Sequence, residues 1–280
     1  LSLMERAFRI LERITGMKGF RLKVFQCQAA LGSLEKLKEG LVEELAKPEG
    51  LPGVDYFLEL SAAEKKGSEG LRELREIGLG SENVRVIKRI ADGLQDQGET
   101  AGAAKLYERL LTFSGFRKMP EIDVVECLQF FLLQGDGDRV IRHATAIKEQ
   151  RPTLLRVAFI LGEALEHKGR LDDAIETFRG MLENKKKTMK DEEYRVLEHL
   201  CSMHLGNIYI LKSNPVKAIE YFNAAERADV DKKEAIRGKS IAYYQAGEYE
   251  NAIKAYDILE KEYDPSQGYH RLLWRSHIPR

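Results

Sequence analysis

The sequence predicts an all-α fold, built as a solenoid of antiparallel helix hairpins. Apolar residues recur at helical spacing, as in the series Leu34, Leu37, Leu41 and Leu45, and the alternating runs typical of strands are few. Only seven prolines interrupt the 280 residues, which again favours helices over extensive sheet. Small and aromatic residues also return at a regular interval in the C-terminal half, and such a period indicates a repeat architecture.

The internal repeat is clearest from residue 155 onward. Gly206 and Ser240 occupy equivalent positions 34 residues apart, whereas Gly162 precedes Gly206 by 44 residues. The additional residues include the polar run at 184–190, which is expected to form a longer helix or a loop between two units. Each unit continues with a turn residue and an aromatic residue: Gly169 and Phe178, then Pro215 and Phe222, then Gly247 and Tyr256.

This pattern resembles the tetratricopeptide repeat, a unit of two antiparallel helices. The resemblance implies a right-handed superhelical solenoid. In such a solenoid, small residues let paired helices approach closely, and an aromatic residue fills the space toward the next unit. Gly169 and Gly247 are expected to end their helices in a left-handed backbone conformation. The implied organisation is divergent hairpins over 1–83, two moderately matching units over 84–154, three well-matching units over 155–264 with a polar insertion near 184–197, and a cap or truncated helix over 265–280.

In the tetratricopeptide family, the first helices of successive units line a concave groove that binds a partner. Mapping the family's groove positions onto this sequence predicts a mixed surface, with a basic end and an apolar stretch in which the Asn207 amide can bond a peptide backbone. The predicted partner-binding residues are Arg85, Lys88, Arg89, Gln129, Arg156, Phe159, Glu163, Met203, Asn207, Ile210, Arg237, Ile241 and Tyr244. The same mapping adds Asp92, Gln95, Val125, Glu126, Leu132, His167 and His204.

Three alternatives stay open for these groove residues. Asn207 merely faces solvent. Phe159 and Met203 pack between neighbouring first helices instead of meeting a ligand, and Arg85, Lys88 and Arg89 form an ordinary solvated helix surface. The turn-like segment 135–138 is acidic but too short for a calcium loop, which needs about 12 residues.

The chemistry of the sequence predicts neither an enzyme nor a cofactor or metal site. Cys27, Cys127 and Cys201 are far apart and are expected to be buried as small apolar residues. His199 and His204 flank Cys201, but a five-residue spacing puts the two histidines on different helix faces. The sequence therefore favours binding over catalysis.

The leading hypothesis is a scaffold or adaptor that binds a peptide or amphipathic helix of another protein. Lys plus Arg equals Asp plus Glu, at 45 each, whereas nucleic-acid-binding domains usually carry a basic excess. RNA binding, suggested by residues 85–89 and by the lysines at 185–187, is disfavoured because base-reading repeats need matched side chains in each unit. The fifth positions of the units instead read Lys88, Val125, Phe159, Met203 and Arg237.

A second hypothesis is a regulatory or assembly module of a larger signalling or membrane-anchored protein. The chain begins at Leu1 rather than at Met, and residues 1–17 resemble a second helix that lacks its first. Self-association through the apolar C-terminal end, which contains Leu272, Leu273 and Trp274, is a further expectation. No apolar run approaches the roughly 20 residues that span a bilayer. Cysteines without a disulfide pattern fit the expected cytoplasmic location, with an anchor or signal upstream of Leu1 as the open alternative.

Overall fold

The computed structural model describes residues 67–112, 117, 119–183 and 191–263. Regular structure in these residues is entirely helical, so the all-α prediction is confirmed there. The chain divides into two compact units between Leu133 and Gln134. The predictions for the half-repeat at 1–17, Cys27, the lysines at 185–187 and the apolar end around Trp274 lie outside the described residues.

The described part of the first unit consists of four helices. They are α1 (Gly67–Gly80), α2 (Val84–Asp96), α3 (Thr100–Thr112) and α4 (Glu121–Leu133). Helices α2 and α3 form a hairpin, α1 packs against both, and α4 packs on α3. Helix α2 buries Ile87, Ile90 and Leu94, whose spacing of three and four residues places them on one face. The Asn83 side chain caps this helix by accepting a hydrogen bond from the Arg85 backbone N–H.

The described part of the second unit contains seven α-helices. They are α5 (Gly137–Gln150), α6 (Leu155–His167), α7 (Leu171–Glu183), α8 (Asp191–Leu211), α9 (Pro215–Arg227), α10 (Lys232–Gln245) and α11 (Tyr249–Ile258), and a π-helical turn, Leu259–Tyr263, continues α11. Consecutive helices pair as the hairpins α6–α7, α8–α9 and α10–α11. Neighbouring hairpins pack through α7 on α8 and through α9 on α10.

Helix α8 is longer than the other first helices of the second unit. It has 21 residues, whereas α6 has 13 and α10 has 14. Helix α8 begins at Asp191, within the range 184–197 where the sequence predicts an insertion. Residues 184–190 lie outside the described part of the chain.

Helices approach closely where a glycine faces a phenylalanine ring. A Cβ atom added to Gly206 would lie 2.6 Å from the Phe222 ring, and one added to Gly238 would lie 2.4 Å from the same ring. Gly162 has the same relationship to Phe178, at 2.5 Å. The prediction that small residues permit close helix approach is confirmed, and Phe222 fills the space between its own hairpin and the next.

The first helices end in a residue with left-handed backbone conformation. Gly169 has φ +72° and Gly247 has φ +77°, which confirms the prediction for both positions. The equivalent residue after α8 is Ser213, with φ +53°. Because a Cβ atom makes this conformation costly, the α8–α9 connection carries a strain that glycine avoids.

Candidate functional site

Residues of three first helices, α6, α8 and α10, form the candidate site. We call it the groove face and define it by Phe159 and Glu163 on α6, Met203 and Asn207 on α8, and Ile241 on α10. All five side chains are exposed or half-buried. Helices α8 and α10 pack against each other directly, so their contributions to this surface are adjacent.

Helix α8 carries an apolar stripe along the groove face. Leu200 is 40% exposed and Leu211 is 65% exposed, while Met203 and Ile210 are half-buried. Intervals of three and four residues place these side chains on one side of the helix. Asn207 interrupts the stripe with an exposed amide that makes no hydrogen bond to the described residues. The first turns of α8 extend the stripe through the exposed Val196.

Helix α10 continues the apolar surface beside this stripe. Ile241 is 40% exposed, and the half-buried ring of Tyr244 makes an edge contact with Tyr249 at 5.6 Å between centroids. Arg237 forms an ion pair with Glu234 on its own helix. The positive charge of Arg237, a predicted groove residue, is therefore paired with a carboxylate of its own helix.

His204 connects α8 to the preceding hairpin. Its ring stacks on Phe178 with 4.9 Å between centroids, and it meets the Phe159 ring edge-on at 5.2 Å. Its Nδ1 atom lies 2.7 Å from Oε2 of Glu166. Phe159 also contacts Phe178, at 5.6 Å. Phe159 thus packs between two first helices, as the open alternative described, while part of its surface remains exposed.

Glu163 is a partly buried carboxylate of the groove face. Its side chain is 28% exposed, and its Oε1 atom lies 3.9 Å from Nε2 of His204, beyond hydrogen-bond distance. No group within the described ranges donates a hydrogen bond to this carboxylate. Burial raises the pKa of Glu163, and the proximity of His204 and His167 only partly opposes that rise.

Lys88, predicted for the basic end of the groove in the first unit, already forms ion pairs with two carboxylates. Its Nζ atom lies 2.7 Å from Oδ1 of Asp92 and 2.8 Å from Oε2 of Glu126, and its side chain is only 12% exposed. The hydroxyl of Tyr107 adds a bond to the same Asp92 oxygen at 2.7 Å. Burial lowers the pKa of Lys88, but the bonds to Asp92 and Glu126 outweigh burial and leave it raised. Lys88 therefore joins α2 to α4 and offers no free positive charge.

The other residues predicted for the first unit differ in their accessibility. Arg85 and Gln129 are exposed, whereas Arg89 is half-buried and already has an interaction partner. Val125 is only 5% exposed, so its assignment to a ligand-binding surface is wrong. Its side chain lies on the apolar side of α4, where core packing prevails over the family's groove register.

Two segments of the chain, 144–187 and 204–267, match the family model described as "Tetratricopeptide repeat". These two segments are therefore similar to tetratricopeptide repeats. The crystal structure of MamA protein is similar in fold, with a TM-score of 0.54 and 18% sequence identity over 66% of this chain and 94% of MamA. A thermophilic tetratricopeptide repeat protein of Thermus thermophilus has 17% identity over 69% of this chain and 97% of its own, with a TM-score of 0.44. No curated protein matches the sequence.

Several sequence-based expectations about individual side chains agree with the described residues. Cys127 and Cys201 are fully buried, as predicted, and burial raises the pKa of Cys201 to about 12. His199 bonds the backbone carbonyl of Ala225 at 3.0 Å, whereas His204 turns to Glu166, so the two histidines lie on different faces as predicted. The segment 135–138 contains a turn in which Asp136 caps α5.

Two features are absent from the described ranges. Among these residues, no three His, Cys, Asp or Glu side chains are placed to hold a metal ion together. Within the same ranges, no helix combines the length and the apolar character needed to cross a membrane.

Sequence reasoning missed Glu166 and the pairing of His204 with it. Glu166 follows Glu163 by three residues, so helical spacing already put both carboxylates on one side of α6. The distance of 38 residues between Glu166 and His204 hid their contact, because the longer α8 breaks the 34-residue interval at this junction.

Proposed function

We propose that the groove face binds a peptide or amphipathic helix of a partner protein, and that the chain acts as an interaction scaffold or adaptor rather than as an enzyme. The tetratricopeptide segments support a general role in protein–protein interaction. The observation that carries the finer proposal is the α8 stripe, in which exposed leucines flank the Asn207 amide, whose hydrogen-bonding groups are not used within the described residues.

Each part of the stripe suits a different part of such a ligand. Burying Leu200, Leu211 and Ile241 removes apolar surface from water, at about 25 cal/mol per Å². Apolar side chains that recur every three or four residues on an amphipathic helix match this kind of surface. The Asn207 amide both donates and accepts hydrogen bonds, so it can pair with a ligand backbone N–H and C=O.

RNA binding loses support from the interactions of Lys88. The basic cluster that suggested RNA binding included Lys88, whose charge is paired with Asp92 and Glu126. Nucleic-acid affinity depends on cations that remain available to phosphates. A protein ligand suits the mixed groove face better.

Selection from a random dodecapeptide phage library on the immobilised full chain tests the proposal. The selected peptides should bind Leu200→Glu at least about tenfold more weakly, because a charge would replace apolar contact in the complex. Val216→Glu is the matched control: it also places a glutamate at an exposed apolar residue, but on the second helix α9. Equal affinity for the wild type and Leu200→Glu would contradict groove binding.

A further inference from the structure

The groove face contains a carboxylate that lacks a donor, and this feature indicates the chemistry of the ligand. We propose that Glu163 anchors a cationic side chain, lysine or arginine, of the peptide that occupies the groove face. The inference rests on the proposed function and deepens it, since it names which ligand residue the site selects. It makes Glu163 a specificity-determining residue of the groove.

His204 does not satisfy the Glu163 carboxylate. The Nδ1 atom of His204 is engaged with Oε2 of Glu166 at 2.7 Å. The Nε2 atom lies 3.9 Å from Oε1 of Glu163, too far for a hydrogen bond whichever ring nitrogen carries a proton. The Glu163 carboxylate is therefore partly desolvated, which raises its pKa, and it lacks the hydrogen bonds from described residues that normally compensate for burial.

An aromatic ring lies next to this carboxylate. Phe159 precedes Glu163 by four residues, so both side chains lie on the same side of α6. The ring is half-buried, and its contacts with Phe178 and His204 hold it in place. A fixed aromatic ring beside a carboxylate suits an ammonium or guanidinium group, which gains both an ion pair and a cation–π contact.

The charges around the groove face also favour a cationic ligand. Arg237 is paired with Glu234 on its own helix. Glu192 and Glu193 are exposed on the first turns of α8, where Glu193 and Val196 continue the line of Leu200. A ligand with one basic residue next to apolar residues would complement both Glu163 and the α8 stripe.

The test compares the binding of dodecapeptides, selected on the wild-type chain, to the wild type and to Glu163→Gln. We expect the selected pool to be enriched in lysine or arginine. A synthetic peptide from the pool should bind Glu163→Gln about tenfold more weakly, as expected for loss of a charge-assisted hydrogen bond. Replacing the basic residue of the peptide by norleucine should cost the wild type the same factor and cost Glu163→Gln little. Glu250→Gln, an exposed carboxylate on α11, is the matched control and should leave affinity unchanged.

The outcomes separate this inference from the proposed function. Peptides that Leu200→Glu weakens but Glu163→Gln binds as well as the wild type would overturn the Glu163 anchor and leave groove binding intact. A norleucine peptide that loses equal affinity for both chains would likewise overturn the anchor alone. Peptides insensitive to Leu200→Glu, or a selection that yields no binders, would overturn both.

Discussion

The imidazole of His204 stacks on the ring of Phe178, with 4.9 Å between the centroids and 16° between the planes. One repeat later, Gly238 occupies the equivalent position, where an added Cβ would lie 2.4 Å from the Phe222 ring. The same position of the repeat thus holds a large ring in one junction and no side chain in the next. In the first junction the histidine also bonds Glu166, so α8 is attached to α6 by both packing and a hydrogen bond.

Replacing His204 by alanine should destabilise the second unit. The substitution removes a ring that contacts Phe159 and Phe178 and leaves the Glu166 carboxylate without its 2.7 Å partner. We expect a loss of about 1–3 kcal/mol in the free energy of unfolding, measured by urea denaturation. His167→Ala, at the exposed end of α6, is the control and should change it by less than about 0.5 kcal/mol. Equal effects of the two substitutions would show that the stack contributes nothing.

Gly238→Ala should be destabilising although alanine favours helices. Its Cβ would lie 2.4 Å from the ring of Phe222, which is fully buried and also faces Gly206. Overpacking of this kind costs about 1–3 kcal/mol, more than the roughly 1 kcal/mol gained in helix propensity. Gly180→Ala on α7 is the matched control: nothing lies within 4 Å of its added Cβ, so the thermal midpoint should rise. A higher midpoint for Gly238→Ala would contradict the close approach.

Ser213→Gly should stabilise the protein. Ser213 has φ +53° at the turn where Gly169 and Gly247 stand in the other hairpins. Glycine removes the strain of the left-handed conformation, although it also increases the conformational entropy of the unfolded chain. The net gain in the free energy of unfolding should be about 0.5–1 kcal/mol. Gly169→Ala should shift the chemical denaturation midpoint in the opposite direction. The turn is not strained if Ser213→Gly unfolds at a lower denaturant concentration than the wild type.

Glu163→Gln should change how stability depends on pH. Burial raises the pKa of Glu163 in the folded state, so the folded state holds its carboxyl proton more tightly than the unfolded state does. The contribution of this protonation to folding stability is complete below the ordinary carboxyl pKa, about 4.3, and is lost as pH rises through the folded-state pKa. The wild type should therefore be less stable than Glu163→Gln at pH 7, and the difference should shrink toward pH 4. Urea denaturation across this range measures it, and a difference that stays constant with pH would contradict the assignment.

The hairpin contacts were predictable from the sequence, whereas the electrostatics were not. Gly206, Phe222 and Gly169 reveal their roles because their spacing within one repeat unit fixes which side chains meet. Lys88 has its second carboxylate partner 38 residues away on another helix, so sequence spacing alone did not reveal that its charge is paired. Val125 shows that the exposure of a groove position is also hard to predict. The family register gives the direction of a side chain, but it does not give the exposed fraction that neighbouring side chains leave.

The most direct test of groove binding places a photoreactive benzoylphenylalanine at residue 207 of the full chain and crosslinks it in native lysate. Asn251 on α11, also exposed, is the matched control position. We expect a discrete crosslinked partner from position 207, none from position 251, and loss of the crosslink when Leu200→Glu is added. Crosslinking of the same partner from position 251 but not from position 207 would contradict the groove face as the binding site.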